Sequence, residues 1–129
     1  MIGSRYQSHL LVALKKVPVE GGREGEWNMA KPVFSTRVSG NIRVVGFEIP
    51  GGVTTPQESK ESVAEIEEGL SGNTPVVFDG RGPVWLFAML VHSAHATPWV
   101  AVRDPRLGAV VVASHSPAQK TGDVIPFPE

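Results

Sequence analysis

Two groups of glycine and arginine residues could bind a negatively charged ligand. The first is Gly80-Arg81-Gly82, which follows an apolar run at residues 75–78, and the second contains Asp104 and Arg106. Glycine lets a ligand approach the backbone amides closely. The guanidinium group of arginine presents a fork of donors that matches a phosphate group. These residue types predict a phosphate or nucleotide site that uses Arg81, Arg106 and the two glycines.

Three histidines form a second group of side chains that could carry chemistry. His92 and His95 are three residues apart, so they share one face if that segment is helical, and His115 follows a later apolar run. Imidazole groups bind metal ions and transfer protons near neutral pH. His95 and His115 are therefore candidate metal ligands or acid/base groups, whereas His92 is interpreted as a core histidine bonded to a backbone carbonyl.

Each candidate also has a simpler structural interpretation. The glycine–arginine segment at residues 80–83 could be only a tight turn from a strand into a helix. The segment Asp104–Gly108 has Asp, Pro and Gly where a β-turn uses them, so Asp104 could simply cap a hairpin. Residue types and spacing alone therefore support a small α/β domain with a candidate phosphoester site.

The elements around these residues are predicted to form one α/β domain. Val33–Ile49 is typical of a β-hairpin turning at Ser39-Gly40-Asn41. Thr55 and Pro56 suit the N-cap and first position of an amphipathic helix. Further elements are expected as a strand at 75–78, a helix at 83–96, a strand at 99–103 and a strand at 109–114. The predicted order is β-β-α-β-α-β-β.

The strand, helix and strand between residues 75 and 103 predict a parallel βαβ unit. Ligands favour the carboxyl ends of such strands, where Gly80-Arg81-Gly82, Asp104 and Arg106 fall. The helix spans about 20 Å and carries His95 to the opposite end, to which His115 also returns. His95 and Asp104 are then separated by roughly 16 Å of strand, so they can act together only across a subunit interface.

Composition sets limits on function. The chain has 129 residues with 41% hydrophobic content and a formal net charge of -1. A general nucleic-acid coating protein would be strongly basic, and the absence of cysteine excludes disulfides and thiolate chemistry. No apolar run is long enough to cross a bilayer and no signal-peptide pattern is present, so we expect a cytoplasmic protein without membrane contact. Residues 1–32 are predicted as an extension, partly loop with a strand within 8–18, and residues 33–129 as the functional domain.

Four segments within residues 80–125 are similar to a known family. They are Gly80-Arg-Gly-Pro-Val-Trp-Leu, His92-x-x-His95-x-Thr-Pro, Val100-Ala-Val-x-Asp104-Pro-Arg-Leu-Gly-Ala-Val-Val-Val, and Ser114-His-Ser followed by Gly122-Asp-Val-Ile. They resemble the small CRISPR-associated protein family Csx-three, a type III CRISPR accessory family also called ring nuclease three. The order of elements fits this family from Val33 onward.

The resemblance implies a manganese-dependent phosphodiesterase that cleaves the second messenger cyclic tetra-adenylate and so switches off type III CRISPR signalling. It implies a fold distantly related to the Rossmann-like domains that sense cyclic oligoadenylates. It also implies homodimers, assembling to a tetramer, that hold the ligand head to tail with catalytic groups from both sides.

By motif position, His95, Asp104 and Arg106 match the functional residues of the family, and His115 would assist them. Mn²⁺ would be held by His95 and Asp104. Some members have a second histidine where this chain has Ala96, so His95 would carry its role alone.

Three functions stay open on these grounds. The first is the ring nuclease, and the second is a non-enzymatic sensor that binds the cyclic messenger. The third is a manganese-dependent 3′ exoribonuclease that acts on adenylate tails of linear RNA. Without a metal ion, attack by a ribose 2′-hydroxyl to give a 2′,3′-cyclic phosphate is also chemically feasible.

Overall fold

The computed structural model of this chain describes residues 30–129 and two short backbone segments, β1 (Val17–Pro18) and β2 (Trp27–Asn28). These two strands pair with each other in antiparallel orientation. The extension predicted as partly loop therefore contains a strand at Trp27–Asn28. The strand predicted within residues 8–18 lies outside the described residues except for Val17–Pro18.

The following strands form a six-stranded sheet in the order β3-β4-β5-β6-β7-β8. Their bounds are β3 Val33–Ser39, β4 Ile42–Glu48, β5 Val76–Gly80, β6 Trp99–Asp104, β7 Gly108–Ser114 and β8 Val124–Ile125. Strands β4, β5 and β6 run parallel, and the outer strands pair antiparallel with their neighbours. The α/β class is confirmed. The elements from Val33 to Ser114 follow one another as expected, and β8 is an addition.

Two α-helices lie within the described residues, α1 (Pro56–Glu67) and α2 (Val84–Ser93). Thr55 caps α1, because its Oγ1 accepts the backbone N–H of Glu58 at 3.2 Å and lies 3.0 Å from Glu58 Oε1. Helix α1 connects β4 to β5, and α2 connects β5 to β6. The predicted βαβ unit of parallel strands is therefore confirmed. Neither helix is long and apolar enough to span a membrane, and this holds for all residues that the structure describes.

Two predicted boundaries are wrong at the ends of these elements. Helix α2 stops at Ser93 rather than residue 96, because Thr97 closes a turn by donating its Oγ1 hydrogen to the Ala94 carbonyl at 2.7 Å. Pro98 also disfavours helical geometry at the residue before it. Strand β5 continues through Asp79 and Gly80, which pair with β4, so the turn begins at Arg81.

Both helices lie on one face of the sheet, which we call the helix face. Phe47 and Phe78 of the strands pack there with Val63 of α1 and with Leu86 and Leu90 of α2. A doubly wound Rossmann fold has helices on both faces of its sheet. The distant Rossmann-like relationship therefore stays a prediction.

The opposite face, which we call the tail face, is covered by the C-terminal segment. It consists of Val77, Trp99, Ala101, Ala109 and Val111. Ile125 and Phe127 pack against this cluster. The last residues of the chain therefore contribute to the packing of the domain.

Candidate functional site

A cleft of about 380 Å³ lies at the carboxyl ends of the parallel strands β5 and β6. It is lined by Gly80, Arg81, Gly82, Phe87, Val102, Arg103 and Pro105. This is the end of a βαβ unit at which ligands usually bind, beside the first turn of the connecting helix. The predicted ligand segment Gly80-Arg81-Gly82 therefore lies in a concave site that a second arginine, Arg103, also lines.

Gly80 and Gly82 have a packing reason to be glycine. A Cβ atom at Gly80 would lie 2.6 Å from the Phe47 ring, and one at Gly82 would lie 3.0 Å from the same ring. Such approaches are shorter than ordinary carbon–carbon contacts of 3.5–4.0 Å. Both glycines therefore leave space for the Phe47 ring, which packs on the helix face directly beneath the cleft. This packing requirement does not depend on the identity of a ligand.

Asp104 ends β6 and caps the hairpin turn to β7. Its Oδ1 atom accepts the backbone N–H of Arg106 at 2.8 Å and that of Leu107 at 3.1 Å. These hydrogen bonds, with that of Arg106 contributing most, hold the pKa of the Asp104 carboxyl below its ordinary value because they stabilise the charged form. The hairpin-cap interpretation is therefore correct, and the cap also keeps Asp104 ionised.

Gly108 completes this turn with φ of 120°. A Cβ atom there would lie 2.6 Å from the carbonyl oxygen of Ile125. Glycine is therefore required for both conformation and space, as the turn pattern predicts. The turn that carries Asp104 and Arg106 consequently packs closely against the backbone of β8 at Ile125.

Arg106 points away from the domain. Its side chain is 87% exposed, and its Nε atom lies 3.7 Å from Asp104 Oδ1. An exposed ion pair of this kind adds little to stability. Arg106 does not line the cleft, so it can contact only a ligand or a second protomer that extends beyond the cleft to the turn.

Arg103 is a residue of this region that the sequence reasoning missed. Its Nη1 atom lies 3.6 Å from Oδ2 of the buried Asp79, and its Cζ atom lies 4.2 Å from the centroid of the Phe127 ring. The available signal was an arginine at the end of an otherwise apolar strand. Side chains alternate along a strand, so Arg103 follows Ala101 onto the tail face and meets Asp79 there.

His95 lies at the opposite end of the sheet, in the turn between α2 and β6. Its Nδ1 atom is 2.9 Å from the carbonyl oxygen of His92. Because a carbonyl oxygen can only accept, Nδ1 must carry the hydrogen, which leaves the lone pair of the neutral ring on Nε2. The His92 ring stacks on the His95 ring with centroids 5.6 Å apart. The interpretation of His92 as a core histidine is wrong, because its side chain is exposed.

A shallow cleft of about 330 Å³ adjoins His95 and is lined by Ala64, Glu67, Glu68, Leu70, Ser71, Ser93, His95 and Ala96. His115 lies at the same end, because its backbone N–H donates to the carbonyl of Pro98 at 2.8 Å. Ser114 fixes the following turn through its Oγ atom, which lies 2.6 Å from the Gln119 carbonyl oxygen. His95 and His115 therefore lie at one end of β6, and Asp104 and Arg106 at the other, as the βαβ argument predicted.

The described residues of one protomer do not bring together a full set of metal ligands. Among residues 30–129, no group of three or more histidine, aspartate or glutamate side chains is close enough to hold a metal ion. An ionised carboxylate at Asp104 and an Nε2 lone pair at His95 are nonetheless the oxygen and imidazole ligands that Mn²⁺ accepts. A backbone carbonyl that orients the other imidazole nitrogen is a common support for a metal-binding histidine.

A comparison with known protein families finds a match to this chain. The family model described as "CRISPR-associated protein (Cas_csx3)" matches residues 56–126. The chain belongs to this family. The matched span runs from the start of α1 to just beyond β8 and contains every candidate site residue. The resemblance noted in the sequence is therefore confirmed, and with it the association with CRISPR systems.

A relative from Aquifex aeolicus (strain VF5) is 39% identical over 90 residues, which are 69% of this chain and 81% of that protein. It is described only as an uncharacterized protein. This similarity supports the family assignment over most of the domain.

Proposed function

We propose that this protein is a metal-dependent phosphodiesterase that degrades cyclic tetra-adenylate and thereby ends type III CRISPR signalling in the cytoplasm. The proposal combines the family membership with one observation. Phosphate-binding side chains and histidines lie at opposite ends of β6, so each protomer presents two halves of a site. A complete site then forms where the Asp104 end of one protomer meets the His95 end of another.

This separation supports a head-to-tail assembly of homodimers into a tetramer around the ligand. A symmetric pair that placed like ends together would join two Asp104 turns or two His95 turns and would leave each site incomplete. Head-to-tail contacts that close around a ring join unlike ends instead. A cyclic ligand with repeated phosphates suits such an arrangement, because every contact between protomers would then face the same adenylate unit of the ring. The distant relation to Rossmann-like sensor domains belongs to the same proposal.

The arginines would bind and neutralise the phosphates. Arg81 lies in the cleft and Arg106 extends into solvent from the adjacent turn. Guanidinium groups placed around a transferring phosphoryl group stabilise the negative charge that develops on its oxygens. Arg106 is therefore assigned to the ligand and to catalysis, while the segment Gly80-Arg81-Gly82 is assigned to ligand binding.

His95 and Asp104 would hold Mn²⁺, one from each protomer at a shared site. An ion held there would supply a Lewis acid for a phosphoryl oxygen. The depressed pKa of Asp104 keeps its carboxylate charged over the whole neutral range. The His92 carbonyl directs Nε2 of His95 outward.

In the metal-free alternative, His95 would act as the base. Its Nε2 atom would take the proton of an attacking ribose 2′-hydroxyl while His115 protonates the oxygen that leaves phosphorus. One lone pair cannot bind a metal ion and accept a proton at the same time. The metal dependence of the reaction therefore distinguishes these two roles of His95.

Incubation with cyclic tetra-adenylate, with Mn²⁺ or with a chelator, tests the proposal. The expected result is conversion of the ring to linear products in the Mn²⁺ sample, with little conversion in the chelated sample and in an Asp104→Ala control. Tight binding without cleavage in any sample would contradict the enzyme and favour a sensor. Faster degradation of linear tetra-adenylate than of the ring at equal concentration would favour the 3′ exoribonuclease.

A further inference from the structure

The C-terminal segment Phe127–Glu129 crosses the tail face from β8 to the opposite edge of the sheet. The Phe127 ring packs on the tail-face cluster. Beyond it, Arg37 of edge strand β3 donates from Nη2 to the Pro128 carbonyl at 2.7 Å, and Ser39 Oγ donates to the Glu129 carbonyl at 2.9 Å. The end of the chain is thus tied to the far edge strand by two hydrogen bonds.

The Arg103 guanidinium contacts groups from distant parts of the chain, among them Phe127 and Asp79. Phe127 provides the face of its ring at 4.2 Å, a distance typical of a cation–π contact. Asp79 provides a carboxylate that is 2% exposed and lies 3.6 Å away. The Arg103 side chain itself is 23% exposed. These contacts fix the position of the guanidinium group before any ligand arrives.

Arg103 is also a lining residue of the cleft at the carboxyl ends of β5 and β6, together with Arg81. Asp79 immediately precedes the glycine–arginine segment, and Asp104 immediately follows Arg103. Phe127 and Asp79 do not line the cleft. Their contacts with Arg103 connect them to the cleft.

We propose that Arg103 is a further phosphate-contacting residue of the cleft, and that Phe127 and Asp79 are positioning residues that hold its guanidinium in place. The C-terminal segment is then part of the ligand site, although it lies on the other side of the sheet from the helices. This inference rests on the proposed function for the identity of the ligand, a cyclic adenylate.

The first experiment measures the affinity for cyclic tetra-adenylate and its turnover in Phe127 variants. Phe127→Ala is expected to weaken binding about tenfold, as loss of one positioned charge-assisted contact does, with kcat changed less than threefold. Phe127→Tyr keeps the ring face and is expected to restore the affinity. Phe34→Ala removes another partly buried phenylalanine, one that packs on the helix face, and serves as the matched control, with affinity within twofold of wild type. Equal losses in Phe127→Ala and Phe34→Ala would overturn the inference, because a general loss of packing would then explain both.

The second experiment uses the unmodified protein, so it does not depend on whether a variant folds. Adenosine 5′-monophosphate is titrated while the Nε–H signals of the arginines are followed by NMR. The Arg103 signal is expected to shift in a saturable manner, whereas that of Arg43, at the other end of the strands, is expected to stay in place. An unshifted Arg103 signal at saturation of the Arg81 signal, or no shift of any arginine signal, would overturn the inference.

The two proposals fail in different ways. Wild-type protein that neither binds nor cleaves cyclic tetra-adenylate would overturn the proposed function. The NMR titration would still decide whether Arg103 contacts a phosphate. A shifted Arg103 signal supports the inference in that case as well, for a different nucleotide ligand.

Discussion

The two ends of the sheet are built in different ways. At the cleft end, Asp104 and Arg103 are fixed by several partners, from the turn amides of Arg106 and Leu107 to the Asp79 carboxylate and the Phe127 ring. At the histidine end, His95 is exposed and is oriented by one carbonyl and one stacked ring. A fixed guanidinium such as that of Arg103 suits binding of a phosphate, which requires donors in fixed places, and a fixed carboxylate such as that of Asp104 suits binding of a cation. The arrangement at the histidine end suits a group that transfers a proton or joins a ligand set from another protomer.

This difference predicts that substitutions at the two ends change different kinetic constants. Changes at the arginines of the cleft end should act mainly on binding, and changes at His95 should act mainly on turnover. Asp104 is the exception at the cleft end, because its proposed role as a metal ligand makes its loss act on turnover. The following experiments test that division, beginning with the largest effect.

His95→Ala is expected to reduce kcat about 100-fold or more, whether His95 holds the metal ion or acts as the base, while the affinity for cyclic tetra-adenylate stays within threefold. The side chain is exposed, so the melting temperature should not change. Added imidazole should recover part of the activity. Parallel losses of affinity and turnover would break the proposed division between the two ends.

Arg106→Ala is expected to raise KM roughly 10- to 100-fold, which is the range for loss of one hydrogen-bonded charge. The effect should be smaller in Arg106→Lys and should decline as the salt concentration rises. Lys120→Ala removes one exposed positive charge outside the site and is the matched control. A change in KM of equal size in the control would mean that only the overall charge of the protein matters.

Gly80→Ala is expected to lower the free energy of unfolding by about 1–3 kcal/mol, because the new methyl group overlaps the Phe47 ring. Gly69→Ala is the control, since a Cβ atom there meets only the Ile66 carbonyl oxygen at 3.6 Å, an ordinary contact. Denaturant unfolding of both variants measures the difference. Equal stability would show that the packing beneath the cleft does not require glycine at position 80.

The smallest expected effect concerns pH. The folded-state pKa of Asp104 lies below its ordinary value of 3.8, so Asp104 stabilises the folded state above that value and stops doing so as pH falls through the folded-state pKa. Asp104→Asn should therefore unfold at a midpoint that depends less on pH below about pH 4 than that of the wild type. Identical pH dependence in both proteins would mean that the turn hydrogen bonds do not favour the charged carboxylate.

Local patterns were sufficient to predict much of the fold. The Gly40-Asn41 turn, the Thr55 cap and the Asp104–Gly108 turn are each determined by a few neighbouring residues, and all three occur where their residue types predict them. Because strand direction follows from the βαβ pattern, the placement of His95 and Asp104 at opposite ends was also predictable.

Features that depend on contacts between distant segments were not predictable. The Phe127 ring reaches Arg103 only because the chain end crosses the tail face, and no local pattern signals that path. The exposure of His92 depends on how α2 packs, and the end of α2 at Ser93 depends on the hydroxyl of Thr97. The role of Gly80 is similar, since the sequence shows a glycine beside an arginine but does not show the Phe47 ring beneath it.

Mixing two inactive variants tests the composite site most directly. His95→Ala and Asp104→Ala proteins are each expected to lack ring cleavage, and an equimolar mixture is expected to recover it. If subunits exchange freely, about a quarter of the composite sites would contain an intact His95 from one protomer and an intact Asp104 from another. Recovery near that fraction of wild-type activity supports assembly of the site from two protomers. A mixture that exchanges subunits and yet stays inactive would contradict it.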